Sequence, residues 1–201
     1  MNTIIERIKY NFSESIQTKI NAADALLPEI GAASEIIVQC LLDGHKIMTC
    51  GNGSSASDAL HFSSQMLNRF KHDRPALPAV TLAADISTLS AMASDHNYND
   101  IFAKQLRALG QPGDVLLAIT ANGDSANISH AIKAAHDRQI NVVALTGHDG
   151  GKIPGLLQDG DIEIRVPSFD TPRIQETHIL IIHCICDIID FQLFGHGDVV
   201  T

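Results

Sequence analysis

With 201 residues, 45% of them hydrophobic and 18% charged, the chain has the length and apolar content of one globular domain with a substantial core. Its net charge of −9 argues against a broad phosphate-neutralising face, so no direct nucleic-acid partner is expected and any role near DNA would run through another protein. The longest apolar run, residues 179–189, is interrupted by His183 and Asp187 and is too short to cross a bilayer. The first ten residues carry both signs of charge and no apolar core, so no signal peptide is read there and a cytoplasmic protein without a membrane partner is expected. Cys40, Cys50, Cys184 and Cys186 form no C-x-x-C pair and sit among apolar residues, the pattern of reduced core thiols.

In chain order, residues 2–43 read as two helices broken at Pro28 and Gly31. In the first, Ile4, Ile8, Phe12, Ile16 and Ile20 recur every four residues, so one apolar face needs a partner, either another subunit or the chain's own domain. Residues 1–44 are taken as a helical arm and 45–201 as the main domain. From there, short apolar runs alternate with helical ones. Strands are expected at 46–50, 79–82, 114–119, 141–145 and 161–166, and helices near 55–71, 86–94, 100–109, 125–137 and 152–157, with a final helix beyond. Several strands are apolar throughout, as they are when both faces are covered. The fold class is therefore α/β, a three-layer αβα sandwich around a five-stranded parallel sheet.

The chain is organised around the end of its first strand. Cys50-Gly-Asn-Gly-Ser-Ser55 runs from an apolar strand through a glycine turn into a helix N-terminus, where unpaired N–H groups and the positive end of the helix dipole favour an anion. Asn52, Gly53 and the hydroxyls of Ser54, Ser55 and Ser57 suit a phosphate monoester. The competing readings are an ordinary turn with a serine cap and a dinucleotide loop, because Gly51, Gly53 and Ala56 satisfy a loose G-x-G-x-x-A pattern. The second fails because the acidic residue expected about 20 positions on is absent, Asp85 coming too late. The third strand ends in a similar way: Thr120, Gly123 and Ser125 follow an apolar run and open a helix, forming a second candidate cradle at the same sheet edge. The fourth strand end, Thr146-Gly-His-Asp-Gly-Gly151, is a further loop there, read as a rim or a structural turn.

These motifs, with Arg173-Ile-Gln-Glu-Thr-His178, resemble the sugar isomerase (SIS) fold and, within it, the phosphoheptose isomerase group, over nearly the whole chain. The resemblance implies a homotetramer with sites between subunits, binding a sugar phosphate or phosphate anion. The isomerases of this group convert sedoheptulose 7-phosphate to the heptose phosphate used for lipopolysaccharide. It further implies a metal set, zinc for preference, at His61, Gln175 and His183, with His183 as acid and position 65 as base, and substrate contacts from Arg69 and Asp95. The sequence departs from the pattern where it matters most. In place of His-Phe-Ala-Glu-Glu it reads His61-Phe-Ser-Ser-Gln65, and Gln65 cannot take a proton near neutral pH.

The second cradle departs as well, losing two hydroxyl donors and gaining Asp124 beside the expected phosphate. Residues 68–70, 107–110 and 184–194 resemble instead the branch of the group that regulates chromosome replication, the DnaA initiator-associating proteins. By that likeness the replication initiator DnaA is the expected partner, with Leu193 and Phe194 serving self-assembly, and a working isomerase is the alternative.

Overall fold

The structure is a computed structural model and describes residues 2–95 and 97–195; Met1, His96 and residues 196–201, which close the second expected unit, lie outside the described residues. Five strands, β1 (Ile47–Gly51), β2 (Ala79–Thr81), β3 (Val115–Ile119), β4 (Asn141–Thr146) and β5 (Ile162–Arg165), form one parallel sheet in the order β2-β1-β3-β4-β5. Six helices surround it: α1 (Asn2–Leu42), α2 (Ser54–Leu67), α3 (Ile86–Asp95), α4 (Ile101–Leu109), α5 (Ala126–Asp137) and α6 (Thr171–Phe194). The expected three-layer architecture is present.

Strand alternation divides the core in two. Ile47, Val115, Leu117, Ile119, Val143 and Leu145 pack with α1, α2 and α6, whereas Met48, Cys50, Leu116, Ala118, Val142 and Ala144 pack with α4 and α5. Both faces are dry, which is why these strands read as continuous apolar runs. Burial pushes the thiols of Cys40, Cys50 and Cys186 up to about 12, so they behave as unreactive core side chains.

Two helical expectations are corrected. The expected break at Pro28 and Gly31 is absent, and α1 runs unbroken for 41 residues. An interior proline costs about 3 kcal/mol, but Ala22, Leu26, Ile30, Ala33, Ile37 and Cys40 bury one stripe of this helix in the core. Each large side chain there contributes roughly 1.5–3 kcal/mol, so packing outweighs the proline. The second half of the expected arm is therefore part of the core, while Ile4, Ile8, Phe12, Ile16 and Ile20 on the first half stay exposed. The expected helix at 152–157 is also absent. Pro154 has no N–H and Gly155 little helical preference, and the segment forms successive turns, Ile153 N–H to Gly150 and Leu156 N–H to Ile153, around the buried Ile153.

By length and composition α1 and α6 are apolar enough to cross a membrane, with windows of mean hydropathy 1.5, contrary to the reading of the sequence. In α6 this composition serves the core: Ile174, Ile181, Ile182, Ile185 and Ile189 are buried in one cluster with α1, α2 and the strands.

Candidate functional site

The register brings the two expected cradles together. Gly51 lies opposite Ile119, so the loops after β1 and β3 leave the sheet level with one another. Because β2 and β3 flank β1 on opposite sides, the chain reverses direction here, and the crevice between the carboxyl ends of β1 and β3 is the switch point at which open parallel sheets bind ligands.

Glycine is required at three positions in these two turns. A Cβ on Gly51 would stand 2.4 Å from the Ser55 carbonyl oxygen, and one on Gly123 would stand 1.9 Å from that of Gly150. Gly53, at φ +57°, caps α2 in a conformation open to glycine. The loop after β4 is thus fixed in role: it is the wall against which the second cradle closes, with the Lys152 N–H donating to the Gly123 carbonyl.

Between the loops lies a cavity of about 210 Å³ lined by Asn52, Ser54, Ser55, Thr120, Asn122, Ser125, Thr171 and Gln175, with Ile119 and Ala121. Three helices begin on it, α2 at Ser54, α5 after its N-cap Ser125, and α6 at Thr171. Among the described residues no lysine or arginine lines it. An anion there would be held by three helix N-termini and by hydroxyls, a neutral cradle suited to a phosphate ester. The Ser125 hydroxyl makes no cap bond to its own helix, and Thr120 Oγ1 accepts the Gly123 N–H at 3.2 Å, which holds the second loop in place. Thr171 was not singled out in the sequence; the Asp170-Thr171-Pro172 start of α6 is the signal that would have found it.

Of the remaining expected substrate residues, Asn52, Gly53, Ser55, Thr120, Ser125 and Gln175 sit at or around this cavity, and Arg69 and Asp95 do not line it. Arg69 is exposed and pairs with Asp73 at 3.1 Å, and Asp95 ends α3, a helix with no buried residue. Asp124, expected beside the phosphate, is exposed and does not line the cavity, but it stands between Asn122 and Ser125, which do.

A second constellation lies further along α2 and α6. His61 Nε2 and His183 Nε2 are 2.9 Å apart, and the Gln65 amide nitrogen is 3.4 Å from His61 Nε2. Desolvation, and then the neighbouring His61, hold His183 below the ordinary histidine range, so the neutral imidazole is favoured. The separation is that of a hydrogen bond between two imidazoles, one donating and the other accepting, and each ring is also a potential nitrogen ligand. The donors suit a divalent cation, but a set with amides in place of carboxylate is a weak one. Among the described residues no three His, Cys, Asp or Glu side chains gather. Gln175 lies eight residues before His183, about 12 Å along the helix, and lines the phosphate-sized cavity.

Two ion pairs hold the helices in this register. His183, Asp187 and Asp190 share a face of α6; Asp187 bonds Lys71 at 2.7 Å, and Asp190 bonds the buried Arg74 at 2.6 Å. Arg74 also donates to the carbonyls of Gln65 and Met66, closing the end of α2. Leu193 and Phe194, expected to face outward for assembly, are half-buried against the chain's own core, with Arg74 over the Phe194 ring; the outward apolar residue of this last turn is Phe191.

Residues 11–147 match the SIS domain family. The chain belongs to that family. Within it, the SIS protein described here is 58% identical over 195 residues to the phosphoheptose isomerase of Shewanella oneidensis, covering 97% of this chain and 99% of that one. Among solved structures it is similar to a phosphoheptose isomerase from Francisella tularensis (48% identity, TM-score 0.91, 94% of this chain and 98% of that one) and to phosphoheptose isomerase GmhA from Neisseria gonorrhoeae (47%, 0.89, 94% and 99%). The SIS domain is thus of the phosphoheptose isomerase group.

The cradle makes a direct prediction. Phosphate bound only to the folded state raises its stability by mass action, so millimolar phosphate is expected to raise the melting temperature. Ser55→Ala with Ser125→Ala is expected to abolish the rise. An unchanged rise in the double variant would place the anion elsewhere.

Proposed function

We propose that this SIS protein binds sedoheptulose 7-phosphate and interconverts it slowly with the corresponding aldose phosphate. The observation that carries this reading is the cavity at the switch point, built from three helix N-termini and hydroxyls, on the same two helices as the imidazole pair; relatives named phosphoheptose isomerase at 58% identity support it. In this reading the cradle, with Gln175 in its lining, holds the phosphate ester, and His61 and His183, the two expected ligands that the fold brings together, would hold zinc, which would polarise the sugar's oxygens. His183 is the group able to move the proton on oxygen when its nitrogen is not bound to the cation. The carbon-to-carbon transfer is slow because Gln65 is no base. The test is calorimetric titration with sedoheptulose 7-phosphate and assay of aldose formation with zinc present. Binding with turnover well below about 1 s⁻¹, under the ordinary enzyme range, is expected; no binding at millimolar substrate overturns the reading.

A second reading is favoured by Gln65 itself, since a site without its base can serve as a scaffold or ligand sensor. In it the chain is a cytoplasmic homotetramer that binds the replication initiator DnaA, multivalency raising apparent affinity by about 10²- to 10⁴-fold. Alanine at both Leu193 and Phe194 is then expected to reduce the oligomer and weaken capture of immobilised DnaA. An undiminished tetramer that melts at a lower temperature would assign both side chains to the core alone, and failure of the unaltered protein to retain DnaA would remove this reading.

A further inference from the structure

Asn52 opens the first loop and Asn127 sits in the first turn of α5, 75 residues later, directly behind the N-cap Ser125. Their side chains exchange two hydrogen bonds: Asn52 Nδ2 donates to Asn127 Oδ1 and Asn127 Nδ2 donates to Asn52 Oδ1, each at 2.8 Å. Tyr98, on the turn before α4, donates its hydroxyl to Asn52 Oδ1 at 3.2 Å. A carbonyl oxygen has two lone pairs, so Asn52 Oδ1 is fully used by protein, and Asn127 is buried. Asn52, expected among the substrate contacts, lines the cavity, and with its oxygen and one N–H spent on protein it has its other N–H and its backbone to offer a ligand.

We propose that Asn127 is a positioning residue of the anion site, coupling the two cradles by gripping Asn52. The proposal rests on the reading of the cavity as a phosphate cradle. The backbone N–H groups of the first loop and the N-terminus of α5 meet a single anion only if the two loops keep a fixed separation. β1 and β3 set that separation as far as Gly51 and Ile119, their last paired residues. Beyond them no ladder bond joins the loops among the described residues, and the reciprocal amide pair takes over that role, from Asn52, the residue after Gly51, to Asn127 in the first turn of α5. Hydrogen-bonded amides suit this task better than an ion pair, because they add no net charge to a site that works by helix dipoles.

Melting curves with increasing inorganic phosphate test this for the unaltered protein, Asn52→Ala, Asn127→Ala and the double variant. Each single change is expected to weaken apparent phosphate affinity by about 3- to 10-fold, the equivalent of one net hydrogen bond, and the double variant is expected to bind no worse than the weaker single one, because either loss already breaks the pair. Single variants that melt lower without phosphate yet bind it as tightly as the unaltered protein would reduce the pair to a structural role and overturn the proposal, as would losses that multiply in the double variant. If Asn127→Ala does not fold, Asn127→Asp keeps the shape and opposes an oxygen to Asn52 Oδ1, and Tyr98→Phe removes the third bond from an exposed position; unchanged affinity in both overturns the proposal equally. Absence of any phosphate effect in the unaltered protein is a different result, since it refutes the cradle itself.

Discussion

Glutamate in place of Gln65 is expected to raise turnover of sedoheptulose 7-phosphate by about 10²- to 10⁴-fold, the usual contribution of a positioned general base. Moving a proton between adjacent carbons needs a group that can take it and return it, and an amide does neither near neutral pH. The surroundings are already suited to a carboxylate. Position 65 lies one turn beyond His61 on α2, its side chain 3.4 Å from the imidazole pair, and the pair would gain a charged third ligand for a divalent cation. The backbone at 65 is held independently of the side chain, by Arg74 donating to the Gln65 carbonyl at 2.7 Å, so the substitution leaves the end of α2 in place. Gln65→Ala serves as the control and is expected to show no gain. A glutamate variant that retains its phosphate-induced stabilisation but turns over no faster would mean that the second cradle or the cation set limits the chemistry.

Much of this was legible in the sequence because it is written in local signals. The strand ends at Cys50-Gly51 and Ile119-Thr120 follow from apolar runs cut by glycine and hydroxyl residues, and the sheet register then joins both at one crevice. What the sequence hid was set by contacts distant along the chain. Pro28 reads as a breaker by propensity and is overruled by the stripe that α1 buries in the core. Asn52 reads as a cavity residue, and nothing local shows that Asn127, 75 residues away, pairs with its amide. The apolar crowding at the end of α6 is visible locally, but that Leu193 and Phe194 are half-buried, with Arg74 from far away in sequence over the Phe194 ring, is not. Arg173 and His178 were quoted only as a motif, and their roles in holding α6 against α1 and β4 rest on bonds to the Asn11 and Thr146 carbonyls.

His178 is expected to make the fold lose roughly 3 kcal/mol of stability as pH falls from about 6.5 to about 4. The ring is fully buried, and its one hydrogen bond among the described residues joins Nε2 to the Thr146 carbonyl at 2.9 Å, so Nε2 is the protonated nitrogen and Nδ1 has no partner among those residues. Protonating Nδ1 would bury a charged donor with no acceptor. Burial therefore pulls this histidine down to about 4, the Thr146 carbonyl offsetting only part of the effect. The sign follows directly. In the unfolded chain the ring takes up a proton below about 6.5, while in the fold it stays neutral until about 4. Its full contribution is thus present above 6.5, declines across that window and levels off below it. His178→Gln keeps an N–H donor for Thr146 but cannot titrate, so its urea midpoint is expected to change less between pH 6.5 and 4 than that of the unaltered protein. Equal acid slopes for the two proteins would show that other groups, and not this link between α6 and β4, govern acid unfolding.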